Sequence, residues 1–144
     1  MKVKLKVKRT NPETGQSGYS KYEIDAAENV TLLDALIQVR LYEDGSLALR
    51  CSCRSAICGS CSMRVDDRAR LACREKVIAL TRGDENHEIK VEPMGNMPVI
   101  KDLVNDMESF WAKIRQVDPY LQPEGPEPEA EYRVSNESMI DLTH

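Results

Sequence analysis

Cys51 to Cys73 reads CSCRSAICGSCSMRVDDRARLAC, and it contains all five cysteines of the 144-residue chain. The spacing Cys53-x4-Cys58-x2-Cys61, with Cys73 following, is the ligand pattern of a plant-type [2Fe–2S] cluster. The residues between the thiols suit that use. Three thiolates must converge from one short loop. Gly59 stands between two of them, where a side chain would crowd bridging sulfides and where a positive φ is expected. Ser52, Ser55, Ala56 and Ser60 are small, so backbone N–H groups can approach the sulfurs and offset their negative charge. Arg54 adds a positive charge in the same loop. Cys51 is the surplus thiol, because using it in place of Cys53 lengthens the first gap to six residues; it is expected to be a free or packing cysteine.

Other uses of clustered cysteines fit less well. A structural zinc site pairs two short knuckles, whereas here three ligands crowd one loop and Cys73 has no close partner in sequence. A disulfide framework requires an oxidising compartment and usually an even count of cysteines. A catalytic cysteine wants a histidine, and the two histidines, His87 and His144, lie in no recognisable context.

Composition bounds the remaining classes. The chain is long enough for one domain with a real core plus an extension. Its net charge of −4 gives no reason to expect nucleic acid as a partner, and 5% aromatic residues make a base-stacking platform a poor fit. No apolar run approaches a membrane span. The N-terminus lacks the apolar core of a signal peptide, so a reducing compartment is expected.

Working outward from the loop, Lys2 to Arg9 alternates lysine with Val3, Leu5 and Val7 and is read as a strand. Its lysines are read as a solvated face that discourages edge pairing, in preference to a docking patch for an acidic partner. Asn11 to Gly18 is a turn, and Tyr19 to Asp25 a second strand with Tyr22 and Ile24 inward. Thr31 and Asp34 form a capping-box pair. They open a helix whose stripe is Val30, Leu33, Ile37 and Leu41, with Leu36 beside it, ending at Asp44-Gly45. Ser62 to Val65, a turn at Asp66-Asp67 and a return strand bring Cys73 back beside the loop. Glu88 to Glu92 is the last strand. The fold expected is α+β: a β-grasp, ferredoxin-like mixed sheet packed on one helix, in residues 1–95, followed by a helical tail.

Residues 96–144 are read as a linker, a helix over Val99 to Val117, an extended Pro- and Glu-rich stretch from Gln122 to Glu131, and a short helix within Tyr132 to His144. The apolar positions Ile100, Leu103, Val104, Met107, Trp111 and Ile114 recur at helical spacing. Such a helix either packs back on the sheet or serves a second domain or subunit.

The runs CRSAICGSC, RLAC, PMGNMPVIKDLVNDM and EYRVSNESMIDLTH, in that order, resemble the iron–sulfur subunit of succinate dehydrogenase and fumarate reductase. The resemblance implies a β-grasp domain holding a [2Fe–2S] cluster on Cys53, Cys58, Cys61 and Cys73. It also implies an electron-transfer role in a succinate:quinone oxidoreductase. The expected partners are an FAD-containing flavoprotein, which would carry the substrate chemistry, and a quinone-binding membrane anchor. The implied location is peripheral, on the cytoplasmic side of a prokaryotic membrane. The family continues into a helical domain with ligands for [4Fe–4S] and [3Fe–4S] clusters. No cysteine follows Cys73 here, so this sequence carries one cluster's ligands and is expected to be a fragment. The competing readings are an independent ferredoxin or the electron-transfer domain of another reductase, and a zinc-stapled interaction module.

Overall fold

Alternation of lysine with Val3, Leu5 and Val7 does produce a strand, β1 (Lys2–Thr10), whose three apolar side chains are fully buried. The computed structural model describes residues 1–27, 29–84, 86–122, 124–126, 129–131 and 133–142, which fall into two units, Met1–Trp111 and Ala112–His144. In the first unit β1 turns back through 11–16 into β2 (Ser17–Asp25), pairing antiparallel from Lys2↔Asp25 to Thr10↔Ser17. β3 (Ser62–Val65) and β4 (Arg68–Leu71) form a second hairpin, and β5 (Glu88–Glu92) lies parallel to β1 and antiparallel to β3. The strand order is β2-β1-β5-β3-β4, a mixed sheet. Helix α1 (Leu32–Gln38) buries Leu32, Leu33 and Leu36 in the same core as Val3, Leu5, Met63, Val65, Ile89 and Val91. This is the expected α+β, β-grasp arrangement.

β1 lies inside the sheet and is no edge, so its lysines do not guard against edge pairing. They meet carboxylates on the flanking strands instead: Lys2 with Glu23 at 3.0 Å, Lys6 with Glu88 at 3.8 Å and Lys8 with Glu92 at 3.9 Å. The pairing register sets these opposite-charge contacts.

The capping box at Thr31 and Asp34 forms as expected, each side chain accepting the other's backbone N–H. The expected stripe does not hold to its end. After Gln38 the chain winds as a π-turn over Val39–Glu43, which adds a residue to the turn and rotates the later positions off the stripe. Val39 stays buried, but Leu41 is 64% exposed. Burying a leucine is worth roughly 1.5–3 kcal/mol, and Leu41 forgoes most of that.

A short helix α2 (Val77–Thr81) comes after β4, unanticipated because five residues give too short a window for periodicity. The larger correction concerns Val99 to Val117. Its first part is not helical: β6 (Val99–Lys101) and β7 (Val104–Asn105) make a hairpin, and helix α3 is confined to Glu108–Val117. Two buried polar side chains explain it. Asp102 accepts backbone N–H groups from Thr10 and Ala48, and Asn105 bonds to the backbone of Met94, Met97 and Pro98. Buried polar groups must be paired, and these partners are available only to a turn.

Within the tail a helix α4 (Asn136–Asp141) is capped by Ser135, consistent with the short helix expected there; Tyr132, Thr143 and His144 lie outside the described residues. In the stretch 122–131 no helix or strand is assigned among the described residues, and Pro123, Glu127 and Pro128 are outside them. Among the described residues no helix is long and apolar enough to cross a membrane.

Candidate metal centre

Leu47 and Leu49 are buried and anchor the chain as it leaves the core for the cysteine loop. Cys51 is half-buried and packs against the core. Beyond it, residues 54–60 are exposed. The backbone there turns repeatedly through the left-handed region, at Arg54 (φ 55°), Ala56 (φ 59°) and Gly59 (φ 72°). For Arg54 and Ala56 that conformation costs about 1–2 kcal/mol each, and strain of this kind persists where a site needs it. At Gly59 the expected positive φ is present. A Cβ there would meet only Ser62 Oγ, at 3.9 Å, so among the chain's own atoms the glycine answers to conformation and not to crowding.

The strained turns direct N–H groups inward. Ser55, Ile57 and Cys58 donate to Cys53 Sγ at 3.3, 3.5 and 3.4 Å. Cys53 and Ser60 donate to Cys58 Sγ, both at 3.5 Å. Cys53 and Cys58 thus form one sulfur pair wrapped in backbone donors. The environment draws the Cys58 thiol down to about 6, through the Ser60 side chain first and then the N–H groups of Cys53 and Ser60. Such a sulfur is ready to act as a thiolate, the form that binds metal.

A second pair comes from the hairpin. Cys61 is buried immediately before β3, and Cys73 is half-buried just after β4. The register Ser62↔Leu71, continued by the Ala72 N–H to Cys61 carbonyl bond at 3.2 Å, sets the two side by side. Asp66 and Asp67 both adopt positive φ in the connecting turn, the geometry that matches the twist of a two-residue hairpin. Burial, the leading influence, pushes the Cys61 thiol up. His87 lies 3.1 Å from Asp66 in this turn, which accounts for it structurally, away from the thiols.

The structure sets the four expected residues in two pairs, Cys53 with Cys58 and Cys61 with Cys73. A two-iron cluster takes two protein thiolates on each iron, and this donor set fits it. Among the described residues no three Cys, His, Asp or Glu side chains close on a single-ion site. Spacing alone did not reveal the turns at Arg54 and Ala56; two non-glycine residues carry no local signal for a left-handed backbone.

The model of the 2Fe-2S iron-sulfur cluster binding domain matches residues 4–112. The chain belongs to that family. It is also similar, at 38% identity over 96% of its length, to the succinate dehydrogenase iron-sulfur subunit of Paracoccus denitrificans, covering 52% of that protein. It is 36% identical over 92% of its length to the fumarate reductase iron-sulfur subunit of Mycobacterium tuberculosis (strain CDC 1551 / Oshkosh), covering 53% of it. Among solved structures a chain of the Mycobacterium smegmatis Sdh1 complex in the apo form aligns with 99% of this chain and 57% of its own, with TM-score 0.76 and 27% identity. The chain spans about half the length of the curated relatives it matches.

Proposed function

We propose that this chain is the cluster-bearing part of an iron–sulfur subunit of the succinate dehydrogenase and fumarate reductase type, and that it carries electrons between a flavoprotein and the quinone side of such a complex. The observation that supports it best is the pair of thiol pairs, one of them wrapped by five backbone N–H groups. In this reading Cys53 and Cys58 hold one iron of a [2Fe–2S] cluster, and Cys61 and Cys73 hold the other. A bound cluster supplies reversible one-electron storage.

The chain's own residues do the rest. The inward N–H groups stabilise charge on the sulfurs and so raise the ease of reduction. The exposure of the loop at 54–60 leaves the Cys53–Cys58 side accessible to a redox partner, whereas Cys61 is shielded by the sheet. Succinate binding and flavin chemistry would lie on the flavoprotein partner, and attachment to a membrane anchor would leave this chain peripheral, on the cytoplasmic side of a prokaryotic membrane.

The test is iron and acid-labile sulfide content of anaerobically purified protein, with an EPR spectrum after dithionite reduction. About two irons and two sulfides per chain with a rhombic spin-half signal are expected from four thiolates in two pairs. Zinc without sulfide, and no signal after reconstitution, would replace this reading with a zinc-stapled module. Reduction of the cluster by succinate through an added flavoprotein separates the proposed subunit from an independent ferredoxin.

A further inference from the structure

Between Glu43 and Ser62 the chain forms no regular element, yet it must deliver the first thiols to fixed positions. Its backbone groups find partners outside the sheet. Asp102, at the turn of the β6–β7 hairpin, is 2% exposed. One carboxylate oxygen accepts the Ala48 N–H at 2.9 Å, and the other accepts the Thr10 N–H at 3.1 Å. The next residue, Leu103, is buried and donates its N–H to the Ala48 carbonyl at 3.2 Å. Consecutive residues of the hairpin thus grip both backbone groups of Ala48, between the buried Leu47 and Leu49 and directly ahead of Cys51.

The charge of Asp102 is answered by Arg9, whose Nε lies 2.9 Å away as an ion pair. The same guanidinium contacts Asp44, donates to Tyr22 Oη at 2.7 Å and donates to Ser46 Oγ at 2.8 Å. Both ends of the segment 44–48 are therefore fixed to one ion-pair network. Asn105 locks the hairpin that presents Asp102, accepting the Met94 N–H at 3.1 Å and donating to the carbonyls of Met94 and Met97, each at 3.0 Å.

We propose that Asp102 is a positioning residue for the cysteine loop, so that the β6–β7 hairpin belongs to the apparatus that holds the thiols. Its link to cluster retention rests on the function proposed above; its effect on the chain entering the loop does not.

The test is residue-level amide hydrogen exchange on the metal-free chain, with Asp102→Asn compared with Ile89→Val, which removes one methyl group from the core. The asparagine variant should speed exchange at Ala48 and Thr10 by about ten- to a hundredfold, the loss of bonds to a charged acceptor, relative to the other amides of the β1–β2 pair. Ile89→Val should change the protected amides together. Uniform change in Asp102→Asn, or none at Ala48, overturns the proposal. Should the variant not fold, wild-type protein decides: Ala48 must exchange as slowly as the sheet, and exchange as fast as the exposed amides of 54–60 overturns it. In cluster-loaded protein Asp102→Asn should alter the EPR line shape and hasten iron loss, while Ile89→Val leaves the line shape unchanged. Wild-type protein that takes up no cluster would fail the functional reading and leave the exchange result to stand or fall alone.

Discussion

Cys61 and Cys73, twelve residues apart in the chain, stand side by side because the β3–β4 register, extended by the Ala72 N–H to Cys61 carbonyl bond, returns the second to the first. Cys53 and Cys58 meet through a different device, a strained loop closed by N–H to sulfur bonds. One pair is placed by a sheet and the other by backbone strain, so the two should respond differently to substitution.

Replacement of Cys58 by serine removes a sulfur that accepts two N–H bonds and favours the thiolate. Cys58→Ser should weaken or abolish cluster binding, whereas Cys51→Ser, at a thiol packed against the core, should retain it. Visible absorption of reconstituted protein checks both. Loss of the bands in the Cys51 variant would overturn the ligand assignment.

Gly59→Ala tests the strained side of the site. With nothing nearer than 3.9 Å to the added carbon, the penalty is conformational and amounts to about 1–2 kcal/mol. Faster release of iron with little change in the unfolding midpoint of the sheet is expected, because the strain lies in an exposed loop. Gly59→Asn should be milder, since asparagine tolerates the left-handed region better.

What the sequence revealed and what it hid divide along the range of the interactions. The cysteine spacing and the Thr31–Asp34 capping box are local chemistry, and both were legible. So was the alternation in β1, though not that both its edges are covered. The hairpin over Val99–Asn105 was misread because Ile100, Leu103, Val104 and Met107 happen to fall at helical intervals. What overrides that periodicity is Asp102, whose partners Thr10 and Ala48 lie 92 and 54 residues earlier. No window of sequence contains such a contact. Leu41 failed for a related reason, since the π-turn at Val39–Glu43 shifts the register of a stripe read on α-helical spacing.

Thr31→Ala should lower stability by about 1 kcal/mol, the usual worth of an N-cap side chain. Thr31 Oγ1 accepts the Asp34 N–H at 3.2 Å, and α1 is the sheet's packing helix. A lower denaturant midpoint with an unchanged slope is the expected result. An unchanged midpoint would mean that the backbone bridge between Thr31 and Lys76 suffices to start the helix.

The acid limb of stability should be governed in part by Asp44. Hydrogen bonds from Ser46, Tyr22 and Arg9, in that order, hold its carboxyl well below the usual carboxylate range. A group whose folded pKa is depressed contributes stability that is complete above its unfolded value. That contribution is lost as pH falls from the ordinary aspartate range towards the depressed folded value. Asp44→Asn should therefore be less stable than wild type at neutral pH and should lose less on acidification, so the two unfolding curves converge as the pH drops below that range. Thermal midpoints of the metal-free protein from neutral pH downward measure this directly. Parallel curves for the two proteins would show that the carboxylate's hydrogen bonds survive protonation and that other acids set the limb.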